Sequence, residues 1–289
     1  MPHQQPVIPV ITADQHRFDL IHVPAEHRRG RLLFLPGMGM TARQYIGFAK
    51  SLAWHGIETF IHEWRGLGAS SLRAGRGVDW GYRELIELDL LAALDALDEH
   101  SGGERLLLGG HSLGSQLACL VAARQPRSAA GLVIVAGGAP YWRSFPLHQR
   151  WVLRGVFSFM PMVAALVGHY PGRQLGFAGR EARRVIGDWC RTGRTGSYAL
   201  PDMDFDLQSA LAELKLPVLG LRLSRDWFVP QDSLQWLIGT MPSCDHSVVT
   251  VTPAHPGDKA DHYSWMQETA AGAKAIANWY QSTAATKRA

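Results

Sequence analysis

The sequence predicts an α/β protein: a mostly parallel sheet covered by helices on both faces, with one helical insertion. Three observations point there. Short apolar runs alternate with segments of helical periodicity, the pattern of strands joined by crossover helices. Several of those runs are continuously apolar, as expected of strands covered on both faces. One block of different composition, 140–205, interrupts the alternation and divides the core into 1–139 and 206–289.

Each element follows from a local signal. Val7–Ile11 and Phe18–Val23 read as a hairpin around Ala13-Asp14-Gln15. Arg31–Leu35 and Ile57–His62 read as strands, separated by a helix over Thr41–His55 that Thr41 can cap. Trp80–His100 gives the clearest helix, because Ile86, Leu90, Leu94 and Leu97 line one face. Arg105–Leu108 and Gly131–Val135 are strands flanking a helix over Leu113–Arg124. After the insertion come a strand at Pro217–Leu223, a helix at Gln231–Gly239, a strand at Ser247–Val251 and a closing helix at Tyr263–Tyr280, with Ser282–Ala289 as a frayed tail. An insertion between two sheet strands is expected over their carboxyl ends, where ligands bind in such sheets.

Composition sets limits. The chain has 289 residues and a net charge of +4, unevenly placed. Pro140 to Leu200 carries nine arginines, no lysine, and only Glu181 and Asp188 as acids, together with ten of the 27 aromatic residues. The N-terminus lacks a basic head followed by an apolar stretch, so no export signal is read and a soluble cytoplasmic protein is expected. Val152–Val167 is the most apolar later stretch; with Arg154, Gly155 and Pro161 inside it, it reads as too short to span a bilayer. Cys119, Cys190 and Cys244 lie far apart without paired or ligand-like spacing, as expected of buried, reduced thiols. No nucleic-acid motif is present.

The chemistry concentrates at Gly110-His111-Ser112-Leu113-Gly114. A hydroxyl is a poor nucleophile unless it is exposed beside a base, and a Gly-x-Ser-x-Gly turn between a strand and a helix provides that exposure. Leu106–Gly109 runs into this motif, and Leu117, Leu120 and Val121 follow at helical spacing, so Ser112 is the candidate nucleophile. An acyl-transfer site also needs donors for a developing oxyanion. The N–H of Leu113, at a helix start, and that of Met38, in the loop Leu35-Pro36-Gly37-Met38-Gly39, are the candidates. For the acid, Asp226 stands just past a strand, on a loop over the sheet. Its rival Asp232 falls in the first turn of the next helix, where acids commonly cap. Among thirteen histidines, His262 opens the closing helix, and His255 is the alternative base. His246 is expected at the wrong end of the sheet. A metal site from His255, Asp258, Asp261 and His262 is not favoured, because their spacing matches no metal motif. Gly37, His111, Trp142 and Trp227 are expected to line the substrate site.

With these residues in order, the sequence resembles the α/β-hydrolase superfamily over nearly its whole length. The ordered landmarks are Leu35-Pro36-Gly37-Met38, Glu63-Trp64-Arg65-Gly66-Leu67-Gly68-Ala69-Ser70, the Ser112 elbow, Asp226 and His262. More closely, it is similar to a group of bacterial predicted hydrolases related to the serine-aminopeptidase-like branch. That group has a cap with a Tyr-Pro-Gly-Arg-x-Leu-Gly-Phe stretch, matched by Tyr170–Phe177, and an Asp-Trp pair, matched by Asp188-Trp189. Its Pro-x-x-x-Gly loop before a histidine is matched by Pro253, Gly257 and His262, which supports His262 over His255. Two departures stand out: Pro36-Gly37 replaces the frequent His-Gly, and Asp261-His262 replaces Gly-His. The neighbouring Asp261 carboxylate is a candidate competitor for the His262 N–H.

The resemblance implies an α/β-hydrolase fold with a helical cap at 140–205 and a Ser112–His262–Asp226 triad that hydrolyses an ester or thioester without a metal or organic cofactor. The same triad serves acyl transfer and amide or C–C cleavage, and a fold alone never proves activity, so a ligand-binding protein on this scaffold is the non-enzyme alternative. Dehalogenase chemistry is disfavoured, because it needs a carboxylate where Ser112 stands. The expected partner is a small acyl substrate, with the phosphates of an acyl-CoA as one attraction for the basic cap and homodimerisation left open. The aromatic residues and the Phe157–Val167 run point to an apolar acyl pocket, while the arginines read more simply as a solvated face.

Overall fold

The computed structural model describes residues 5–101, 105–252 and 261–286. Eight strands form one sheet: β1 Val7–Ile11, β2 Arg17–Val23, β3 Gly30–Leu35, β4 Ile57–His62, β5 Leu106–His111, β6 Ala129–Val135, β9 Pro217–Leu223 and β10 Asp245–Val251. Their spatial order is β1-β2-β4-β3-β5-β6-β9-β10. The first two pairings, β1 with β2 and β2 with β4, are antiparallel, and every later one is parallel. The loops that leave β3, β5, β9 and β10 therefore all emerge at one edge, where an open α/β sheet binds its ligands.

Helices cover both faces. α1 (Ile46–Trp54) and α10 (Ala270–Thr286) share one apolar cluster, in which Phe48, Leu52, Ala273 and Ile276 pack against Phe34, Leu107 and Leu219. On the other face, α2 (Tyr82–Glu84), α3 (Leu91–Ser101) and α4 (Leu113–Arg124) build a second cluster with Ile86, Leu97, Leu117 and Leu120. Between β6 and β9 lie α5 (Leu147–Val167), the two-residue strands β7 (Tyr170–Pro171) and β8 (Arg180–Glu181), α6 (Gly172–Leu175) between them, α7 (Arg183–Thr195) and α8 (Leu207–Glu213). α9 (Gln231–Gly239) follows β9. This is the α/β-hydrolase architecture.

Four expectations change. The helix over Trp80–His100 is not uniform: it starts at Tyr82, and Leu85–Leu90 is a π-helical turn that carries the buried Asp89 inward. The closing helix starts at Ala270 rather than Tyr263, because a 3-10 turn at Ser264–Gln267 ends at Glu268 with φ −134° and ψ 71°. Its far end runs to Thr286, so the start of the expected tail is helical. The apolar stretch expected to be too short for a bilayer belongs to a continuous 21-residue helix, α5, with Pro161 inside it. By length and composition α5 is able to cross a membrane.

The three cysteines are buried and free, as expected. Burial raises the Cys119 and Cys190 thiols, the latter to about 12, so both are protonated at neutral pH.

Candidate active site

The turn at Ser112 is built by exclusion. Ser112 has φ 53° and ψ −117°, a conformation that L-residues rarely hold, with its N–H on Val135 O at 3.1 Å. A Cβ on Gly110 would lie 2.3 Å from the Gly114 carbonyl carbon, and one on Gly114 would lie 2.0 Å from Leu35 O. Only glycines let β5 turn this tightly into α4 while α4 rests on the end of β3. The strained serine sits where strand and helix meet, with its hydroxyl turned outward.

Three loops meet there. His262 Nε2 is 3.0 Å from Ser112 Oγ, and His262 Nδ1 is 3.0 Å from Asp226 Oδ2. The Asp226 carboxylate is fixed in turn: its Oδ1 accepts the N–H groups of Phe228 at 2.8 Å and Val229 at 2.9 Å. Asp232 lies in the first turn of α9 instead. His246 is in the first half of β10, paired with Val218 near the start of β9, and so at the opposite edge from Ser112. His255, Asp258, Pro253 and Gly257 lie outside the described residues. His262 does not open a helix, as the sequence suggested. It sits in a turn in which Asp261 Oδ1 accepts the N–H groups of Tyr263 and Ser264 at 3.0 and 2.9 Å. That oxygen is therefore committed to the turn rather than to the imidazole. Phe228 packs on His262 with ring centres 4.7 Å apart, and Phe177 and Trp189 continue the aromatic layer.

The loop after β3 approaches the same point. The Gly37 N–H donates to Tyr45 Oη at 2.9 Å, and Tyr45 Oη is 2.7 Å from His111 Nδ1. Burial pushes the His111 imidazole down and the Tyr45 phenol up, so His111 is neutral and Tyr45 keeps its proton to donate. Gly37 is thus occupied, and among the described residues no acceptor meets the N–H of Met38 or of Leu113. Behind the loop, Trp64 Nε1 donates to Pro36 O at 2.9 Å. In front, Gly39 (φ 74°) touches the turn after Phe177: a Cβ there would lie 2.3 Å from Gly179 N. The Tyr170–Phe177 motif thereby seats Phe177 over Phe228 and presses Gly179 onto the Gly37–Gly39 loop.

The other motifs are structural supports. Asp188 Oδ2 accepts the Tyr82 N–H at 2.8 Å, tying α7 to the start of α2; burial raises its carboxyl to about 6. Ser70, His16 and Asp89 form a second serine–histidine–aspartate chain that sequence reading missed, with His16 2.9 Å from Ser70 Oγ and 3.0 Å from Asp89. The chemistry there is blocked. Ser70 Oγ accepts the N–H groups of Gly66 and Leu72, Arg65 engages Asp89 on both oxygens, and all four side chains are buried. The sequence separates these residues too widely to suggest their meeting.

A cavity of about 370 Å³ opens from Ser112 beneath α5. Its walls include Phe145, Val152, Leu153, Phe157, Trp189 and Trp227, and no acidic residue lines it among the described residues. A smaller hollow on the other side of Ser112 is edged by Gly37, Met38, Leu113 and His262. Trp227 stands in the cavity wall as expected, with 67% of its surface exposed. Trp142 does not line the cavity: it packs on Trp151 with the two rings tilted by 42°, and Arg143 and Arg154 lie over its ring. His111 edges the smaller hollow but is wholly buried, so it offers support rather than surface. The first half of α5 forms the cavity wall, whereas most of the Phe157–Val167 run faces outward. Groups of three or more His, Cys, Asp or Glu able to hold a metal are absent among the described residues.

Solved structures share this architecture at low sequence identity. A monoacylglycerol lipase from Paleococcus ferrophilus superposes with a TM-score of 0.60 at 18% identity, covering 92% of this chain and 100% of the other. A thermophilic esterase from Thermogutta terrifontis gives 0.61 at 16%, covering 96% and 99%. DcsB in complex with a substrate analogue gives 0.66 at 13%, covering 96% and 99%. Comparison with curated proteins finds no match. The family described as serine aminopeptidase, S33 matches residues 26–254, most of the chain, and the protein belongs to that family of hydrolases.

Proposed function

We propose that the protein hydrolyses a carboxylic ester or thioester with an apolar acyl group, through an acyl-enzyme on Ser112. The observation that carries this reading is the unbroken chain from Ser112 Oγ, which lines an apolar cavity, through His262 to Asp226. His262 Nε2 takes the Ser112 proton as Oγ attacks the carbonyl carbon, and Asp226 holds the opposite ring N–H and stabilises the imidazolium. The oxyanion is received by the N–H groups of Met38 and Leu113, the latter aided by the positive end of α4. His262 then protonates the leaving oxygen or sulfur. Water, deprotonated by the same imidazole, releases the acid and restores Ser112. The segment 140–205 acts as a cap over this centre.

The cavity favours an ester or thioester over the N-terminal amide that the family description names. An aminopeptidase must hold a free ammonium group, and a buried cation without a counter-charge is costly. The wall supplies aromatic and aliphatic carbon instead, with Gln116, His148 and Gln149 as its polar points. An apolar cavity of roughly 150 Å³ holds a benzene. At more than twice that volume, this one accommodates a medium-length acyl chain. A panel of p-nitrophenyl esters of rising chain length beside acyl-CoA thioesters, run on wild type and Ser112→Ala, tests chemistry and pocket together. Turnover that rises with chain length to a medium optimum and vanishes in Ser112→Ala is expected; turnover that survives in the variant, or is confined to aminoacyl amides, refutes the reading.

A further inference from the structure

Most surface helices hide their apolar face. α5 also displays one. Phe157, Met160 and Ala164 face inward and are buried, yet Leu147, Trp151, Phe159, Met162 and Leu166 on the opposite side are 60–75% exposed. At 100° per residue these five lie within about 120° of one another, forming an apolar stripe along a helix about 30 Å long. A stripe of this size on a soluble surface marks a place where something else binds.

Two observations decide what that is. First, from Tyr141 through Arg180 the chain carries five arginines and no acidic residue. Arg154 borders the stripe and lies over the rings of Trp142 and Trp151 at 5.4 and 5.6 Å, while Arg143 lies over Trp142 at 5.1 Å. An apolar face bordered by cations, with tryptophans between, matches a bilayer interface with anionic headgroups. A second copy of the chain on the same face would bring arginine against arginine, with no acid in the 141–180 segment to compensate. Second, α5 is tied to its neighbours at two points: Arg76, which precedes α2, donates to Leu166 O at 2.9 Å, and Arg194 on α7 donates to Phe157 O. The helix is thus fixed to lie on a membrane rather than to cross it.

We infer that the exposed face of α5 docks the protein on an anionic lipid surface, with the stripe from Leu147 to Leu166 in the acyl–headgroup boundary and Arg143 and Arg154 at the phosphates. Docking sets the cavity against the lipid, because His148 and Val152 on α5 belong to its wall beside the exposed Trp227. An amphiphile then passes from bilayer to Ser112 along one apolar surface. The docking is independent of the ester chemistry proposed above, so Ser112→Ala binds vesicles like wild type whichever reaction the site performs.

The test is co-flotation of the full chain with vesicles of phosphatidylcholine alone, and of phosphatidylcholine and phosphatidylglycerol in equal parts. Phe159→Ser/Met162→Ser removes apolar area outside the cavity, and Arg143→Gln/Arg154→Gln removes charge; circular dichroism and thermal melting of each verify the fold. Binding to the anionic vesicles, weakened at least about tenfold by the first pair and made insensitive to phosphatidylglycerol by the second, is the expected result. Absence of wild-type binding overturns the inference, as does equal binding to both vesicle types. So does a wild-type dimer in sedimentation that the Phe159/Met162 pair dissociates, with no vesicle binding, since the occupant is then a second copy.

Discussion

Tyr45 Oη lies 2.7 Å from His111 Nδ1, and this one contact ties the loop after β3 to the residue preceding Ser112. The same hydroxyl accepts the Gly37 N–H, so Tyr45 sets the distance between the two proposed oxyanion donors, Met38 and Leu113. Tyr45 is a positioning residue that touches no substrate. Tyr45→Phe is expected to lower kcat roughly ten- to hundredfold with KM changed little, because the lost alignment matters most when charge develops on the oxygen. Leaving Gly37 N–H and His111 Nδ1 unpaired also costs about 1–3 kcal/mol of stability. Steady-state kinetics with denaturant unfolding separates the two effects; a variant with lower stability but unchanged kcat contradicts the positioning role.

The glycines of the elbow are required by contact. Gly114→Ala is expected to destabilise the fold by about 3 kcal/mol or more, because its Cβ meets Leu35 O at 2.0 Å and its other nearest neighbours are also backbone. Gly187→Ala in α7 is the matched control: its Cβ meets nothing within 4 Å, and the change is expected to stabilise by about 0.5–1 kcal/mol. Equal midpoints in urea for the two variants contradict this account of the turn.

Asp188 makes stability pH-dependent. Its carboxyl is raised from 3.8 to about 6, chiefly by burial, so the folded chain holds that proton more tightly than the unfolded chain. The contribution is fully present below about pH 4 and is lost as pH climbs through 6. Asp188→Asn keeps an acceptor for the Tyr82 N–H and removes the charge. It is expected to flatten stability between pH 4 and 7 and to be more stable at pH 7, by up to about 2 kcal/mol. Asp188→Ala, which orphans the Tyr82 N–H, is expected to be less stable than Asp188→Asn throughout. Thermal melts across that range decide it.

Leu153 lies in the cavity wall. Leu153→Trp is expected to cut turnover of medium-chain esters about tenfold while short-chain esters stay within about twofold, since a few methylenes of lost space are worth 1–3 kcal/mol. An equal loss for all chain lengths places the acyl group elsewhere.

Much of this was legible in the sequence, for identifiable reasons. Short apolar runs marked the strands, and the helices over Leu113–Arg124 and Gln231–Gly239 match the structure to the residue, because apolar spacing is a local signal. Gly110, Ser112 and Gly114 announced themselves because a strained turn restricts which residues it accepts. Asp226 and His262 were read from their places past a strand and before the closing helix, and the structure sets them 3.0 Å apart. The Tyr45–His111–Gly37 contact was not, since it joins three elements by one hydroxyl and leaves no spacing to read. Trp142 and the outward stripe of α5 were misassigned because composition reports how apolar a segment is, not which way it faces. Only packing against α7 decides that, and it puts Phe157 inside and Phe159 outside.

The central claim, that Ser112 is a nucleophile activated by His262, is tested most directly by reacting the protein with a fluorophosphonate probe and locating the adduct by mass spectrometry. Wild type is expected to carry one adduct, on the peptide containing Ser112, with labelling abolished in Ser112→Ala and slowed at least about a thousandfold in His262→Ala. A wild type that stays unlabelled, or a Ser112→Ala variant labelled as fast as wild type, contradicts it.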